Sequence, residues 1–105
     1  MKKLTETFNK ISVAKGETFK IELYGNPTTG YLWDMSVTAG KATLVKQDSD
    51  APSLVNDRMA IGGGSMQHFI FKAEEAGEIE IKAEYKRPWE KNPAAQSHSF
   101  KITVN

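Results

Sequence analysis

The sequence contains no cysteine. That absence excludes a disulfide framework, a thiolate-based zinc site and a cysteine nucleophile together. An excess of one charge is missing too: 14 Lys and Arg stand against 13 Asp and Glu, leaving +1 over 105 residues. Recognition of nucleic acid through its phosphates needs a basic face that displaces counterions, so no nucleic-acid partner is expected. No apolar run approaches the ~18 residues of a membrane helix, and no membrane partner is expected. The opening lysines of MKKLTETFNK lead into Leu4, Thr5, Glu6 and Thr7 rather than an apolar leader segment. As written the chain carries no export signal, which points to the cytoplasm; a processed chain that had lost a leader would read the same. Histidine is scarce, with only His68 and His98, and neither sits in an HExxH pattern or beside ligands spaced for zinc. Neither a metal nor a cofactor is expected.

What remains is an ordinary globular balance of 39% hydrophobic and 26% charged residues, enough for an apolar core in a chain of this length. We read residues 1–105 as one domain and as a monomer. The dominant hydrophobic period is two. Phe19, Ile21 and Leu23 alternate with polar residues in 17–24. Tyr31, Trp33, Met35 and Val37 do so in 31–37, Ile79, Ile81, Ala83 and Tyr85 in 78–85, and Phe100, Ile102 and Val104 in 99–104. Alternation of this kind is the mark of half-buried strands, whose successive side chains point to opposite faces. Further strands are expected at 8–13, 42–47 and 67–73. No helical stripe competes; the best candidate, 72–78, is short and ends on Gly77. The expected fold is all-β, an immunoglobulin-like β-sandwich of about seven to eight antiparallel strands.

Three connections are longer or odder than hairpin turns need: 25–30 (GNPTTG), 48–65 ending in a glycine run, and 86–96 (KRPWEKNPAAQ). Antiparallel strands reverse at each connection, so every second connection lies at the same end. These three are therefore expected to share one edge, the geometry that immunoglobulin-like domains use for binding.

Catalytic patterns do not survive inspection. Ser65 follows three glycines, but GGGS is neither the GxSxG elbow nor a phosphate-binding loop. Glu74 and Glu75 are adjacent, so in a strand they would point to opposite faces. No enzyme is expected. The connections do carry binding chemistry. Pro27 and Pro88 fix φ near −65°, which lowers the entropy lost on docking. Thr28 and Thr29 offer small hydroxyls to a narrow cleft, and Gly62, Gly63 and Gly64 allow close backbone approach. Arg87, Pro88 and Trp89 join two hot-spot residue types on a rigid turn. Trp33, mid-strand on the apolar face, reads as core.

Asn26-Pro27-Thr28-Thr29-Gly30-Tyr31 followed by Trp33, a glycine-rich stretch before His68-Phe69, and Arg87-Pro88-Trp89 resemble, in order, the motifs of the chagasin family of cysteine-peptidase inhibitors. The resemblance runs over nearly the whole chain. It implies an immunoglobulin-like sandwich that blocks papain-like peptidases, cathepsin L-like or similar. It further implies that Asn26 to Tyr31 enter the catalytic cleft, with Thr28 and Thr29 nearest the enzyme's Cys–His pair. Arg87, Pro88 and Trp89 would flank the primed side, with Trp89 stacked on an enzyme aromatic. Gly62, Gly63, Gly64 and Ser65 would lie along the non-primed side, with Ser65 where the family's motif carries its last glycine. Two other readings accommodate the strands without a peptidase: an immunoglobulin-like adhesion or ligand module, and a carbohydrate module with Tyr24, Tyr85 or Trp89 as an exposed platform.

Overall fold

The alternating segments form two four-stranded sheets packed face to face. The strands are β1 (Lys2–Leu4), β2 (Lys10–Val13), β3 (Thr18–Gly25), β4 (Leu32–Ala39), β5 (Ala42–Ser49), β6 (Leu54–Val55), β7 (Arg58–Met59), β8 (Ser65–Ala73), β9 (Gly77–Lys86) and β10 (Gln96–Val104). The computed structural model describes residues 1–26, 29–49, 54–55, 58–59, 65–91 and 93–105, with only the backbone described at 54–55 and 58–59. One sheet has the order β1-β3-β8-β5 and the other β2-β10-β9-β4, while β6 and β7 pair with each other. No α-helix forms among the described residues, and 72–78 instead supplies the end of β8, a tight turn and the start of β9.

The core follows the alternation. Phe19, Ile21 and Leu23 from β3 and Phe69 and Phe71 from β8 face Ile79 and Ile81 from β9 and Phe100 and Ile102 from β10, all at most 3% exposed. Burying one such side chain stabilises the fold by roughly 1.5–3 kcal/mol. Expected and observed strands coincide closely for β3, β8, β9 and β10, which lie in the middle of the sheets. At the edges the structure departs from expectation. Lys2–Leu4 is a strand, paired in parallel with β3, and its Leu4 is fully buried. β2 also pairs in parallel, with β10, so the expected antiparallel arrangement holds for the inner strands and not for these two. The chain changes sheets between β1 and β2 through a corner in which Thr5 and Phe8 exchange backbone hydrogen bonds of 2.9 and 3.2 Å. Phe8, expected to begin a strand, lies outside β2 and is exposed.

β4 and β5 form the opposite edges. Each carries a register shift, at Val37/Ala39 and at Leu44/Lys46, and bulges of this kind twist an edge away from further pairing. Val37, expected on the core face, is 39% exposed because no strand covers the far side of β4 there. Leu44 and Val45 of β5 are exposed for the same reason.

Candidate functional site

The strand registers place the three unusual connections at one end. Gly25 pairs with Ser65, Ser49 with Gln67, Leu32 with Lys86 and Gln96 with Tyr85. The β3–β4, β5–β8 and β9–β10 connections therefore all open from the same edge of the sandwich. The first crosses from one sheet to the other, while the second stays with β5 and β8 and the third with β9 and β10.

The β3–β4 connection is fixed from below. Gly25 is buried, and a Cβ there would lie 2.4 Å from Gln67 Nε2, so the strand end sits directly on that side chain. Gln67 is the polar residue at the loop end of the inward-facing row of β8, only 8% exposed. The next residue, Asn26, donates its backbone N–H to the Tyr85 hydroxyl oxygen at 2.8 Å. The Asn26 carbonyl accepts from both the N–H and the Oγ1 of Thr29, at 3.2 and 2.7 Å. The loop thus carries its own turn and is tied to β9 by one phenol. Tyr85→Phe, which removes the oxygen and keeps the ring, is expected to cost about 1 kcal/mol of stability in urea unfolding. A loss below a few tenths would show that the Asn26 N–H finds an equal partner elsewhere.

The β9–β10 connection begins with a turn closed by the Glu90 N–H on the Arg87 carbonyl at 3.1 Å, with Pro88 at the position where a fixed φ favours it. From there Arg87 reaches across to the first connection. Its Nε donates to the Thr29 carbonyl at 3.1 Å, its Nη1 pairs with Glu90 at 2.9 Å, and its guanidinium lies over the Tyr31 ring, 4.5 Å from the centroid. The hydrogen bond to Glu90, first among the causes, raises the Arg87 pKa further above its already high ordinary value.

Below the guanidinium runs a column of rings. Tyr31 stacks on Tyr85 at 5.2 Å, while Tyr85 meets Trp33 at 4.7 Å and Trp33 meets His98 at 5.6 Å between centroids, both at a tilt. Trp33 is 6% exposed and donates its indole N–H to the Tyr24 carbonyl at 3.1 Å, so the column stands on the core. Trp89 does the opposite: it is 70% exposed, yet its six-membered ring lies against Gly30, where a Cβ would fall 2.5 Å from Cη2. Gly30 has φ +83°, so glycine serves there both for the turn and for the contact with the indole.

Of the residues singled out by sequence, Asn26, Thr29, Gly30, Tyr31, Arg87, Pro88 and Trp89 are brought together at this end. Pro27, Thr28, Gly62, Gly63 and Gly64 lie outside the described residues. β8 starts two residues earlier than expected, so Ser65 is its first residue, paired with Gly25, rather than part of the connection. Sequence reasoning missed Glu90, Gln67 and the supporting role of Tyr85. The signal for Tyr85 was its place on the alternating apolar face of 78–85, directly before the Arg-Pro-Trp turn. Because Tyr85 is half-buried under Tyr31 and bonded to Asn26, it is unfit for the sugar platform considered above.

Fold and site together define an immunoglobulin-like sandwich that presents three connections at one end, two of them interlocked, the construction of a protein-binding module. The chain belongs to the chagasin family of peptidase inhibitors: the family described as Chagasin family peptidase inhibitor I42 matches residues 12–104. Its relatives are protease inhibitors rather than enzymes. Amoebiasin-1 of Entamoeba histolytica is 37% identical over 97% of this chain and 96% of its own length. Chagasin of Trypanosoma cruzi is 28% identical over 95% and 93% respectively. In three dimensions the chain is similar to the crystal structure of the cysteine protease inhibitor EhICP2 from Entamoeba histolytica. The TM-score is 0.81 at 24% identity, covering 99% of this chain and 94% of that one.

Proposed function

We propose that the protein is a reversible, tight-binding inhibitor of papain-like cysteine peptidases that fills the active-site cleft with its three clustered connections. The observation that carries this reading is the join between the first and third of them. The segment around Asn26, Thr29, Gly30 and Tyr31 is held by Tyr85 and Arg87, and the exposed Trp89 indole rests against it. Pro27 and Thr28 complete the segment that enters the cleft, with Thr28 and Thr29 beside the catalytic thiolate. Trp89, with Arg87 and Pro88 behind it, meets the primed side, and Gly62 to Ser65 the non-primed side.

The join between the β3–β4 and β9–β10 connections is made before docking, so less conformational entropy is lost there on binding, which favours slow dissociation. Three loops can bury about 800 Å² per partner, the size of ordinary stable interfaces. No covalent step is needed. Backbone and hydroxyl groups occupy the cleft without offering a correctly placed scissile carbonyl. The chain has no cysteine, so it cannot form a disulfide with the enzyme's catalytic thiol.

The test uses papain and a cathepsin L-like enzyme with a fluorogenic peptide substrate. Competitive inhibition is expected at nanomolar to micromolar inhibitor, with activity recovered on dilution and the inhibitor recovered uncut. No inhibition of either enzyme at micromolar concentration would defeat the proposal for that class of target.

A further inference from the structure

We infer that Arg87 is a positioning residue, which orders the binding head from within and makes no charge contact with the peptidase. This rests on the inhibitor reading above and assigns a role inside it. Three of the contacts a guanidinium can make are already made within the chain. Nε is taken by the Thr29 carbonyl at 3.1 Å, Nη1 by the Glu90 carboxylate at 2.9 Å, and the π face by the Tyr31 ring at 4.5 Å. Its charge is matched by Glu90, three residues along the same turn. A docking enzyme would meet a charge already paired by Glu90, and drawing the guanidinium toward itself would break its hold on Thr29 and Tyr31.

The same contacts explain what the residue does. Arg87 starts the turn that presents Trp89, and it grips the loop on which Trp89 lies through Thr29 and Tyr31, the residues on either side of Gly30. One side chain thus sets the angle between two connections that belong to different strand pairs. It also closes the top of the ring column that descends through Tyr31, Tyr85 and Trp33 into the core. Lysine cannot replace it here, because an ammonium has neither the planar fork that serves two acceptors nor the face that stacks on a ring.

The experiment compares wild type, Arg87→Gln and Arg87→Lys by two readouts. The first is ¹⁵N NMR relaxation of the two indole N–H groups in the free protein. Trp33 is buried and reports the integrity of the fold; Trp89 reports the head. Both variants are expected to leave the Trp33 indole as rigid as in wild type and to loosen that of Trp89 on the ps–ns scale. The second is papain inhibition at low and high salt. Both variants are expected to weaken it about ten-fold by loss of preorganisation, by the same factor at either ionic strength. An unchanged Trp89 indole, or an affinity loss that shrinks with salt and is restored by Arg87→Lys, would overturn the assignment in favour of a direct charge contact. If wild type fails to inhibit papain, the inhibitor reading fails for that enzyme, while the relaxation data still decide whether Arg87 orders the head.

Discussion

Trp89→Ala is expected to weaken peptidase inhibition by at least about 2 kcal/mol, roughly thirty-fold, and to leave the urea unfolding midpoint where it was. Both halves follow from one geometry. The indole is 70% exposed, so the folded state gains little from it, and its removal opens no cavity in the core. Yet it is not a loose side chain. It is carried on a Pro-containing turn and backed by Gly30, so a large aromatic surface is held out toward solvent at small entropic cost. Exposed, preoriented aromatics are what interface hot spots are made of. Inhibition constants and urea curves for wild type and variant decide the matter. Undiminished inhibition would exclude this loop from the interface, and a shifted midpoint would show that the ring belongs to the fold.

The other tryptophan should respond in reverse. Trp33→Ala is expected to cost about 3–5 kcal/mol of stability, a large part of the 5–15 kcal/mol typical of a whole domain. The ring is 6% exposed, so its loss leaves a cavity bounded by two sheets that cannot close over it. Its N–H bond to the Tyr24 carbonyl goes too, and so does the support under Tyr85 at 4.7 Å. Inhibition by the fraction that remains folded should also fall, because Tyr85 positions Asn26. Trp33→Phe, which keeps most of the volume, serves as the control and should lose much less. A Trp33→Ala loss below about 1 kcal/mol would mean that the ring is not a member of the core.

Legibility from sequence followed the number of neighbours a strand has. β3, β8, β9 and β10 are covered on both edges, so their inward residues are buried except toward the loop end, where Ser65, Tyr85 and His98 are half-buried, and the period of two is clear. β5 was found by position, but seven of its eight residues are exposed, and its apolar Leu44 and Val45 point to no core. β1 gave no signal, since two of its three residues are lysines and only Leu4 is buried. Lys2 pairs with Phe19, so what makes this segment a strand lies outside it. The clustering of the loops was readable because strand reversal alone dictates it. The contacts between loops were not. Arg87 and Thr29 are 58 positions apart, and nothing local in either segment specifies that a guanidinium should span them. Glu90 was equally silent, because a glutamate three residues after an arginine in a loop is commonplace until the turn closes.

The assignment of loops to sheets has one more consequence. The glycine-rich connection springs from β5 and β8 in one layer, the Arg-Pro-Trp connection from β9 and β10 in the other, and the segment between them bridges the two. The flanking connections therefore spring from stems whose gauge is set by the thickness of the phenylalanine and isoleucine layer between the sheets, about 10 Å in sandwiches generally. The head behaves as a caliper whose jaws are mounted on separate plates, with its opening adjusted from inside the molecule. Loop sequences can change while that opening stays constant, and a change of core volume far from any loop would alter it.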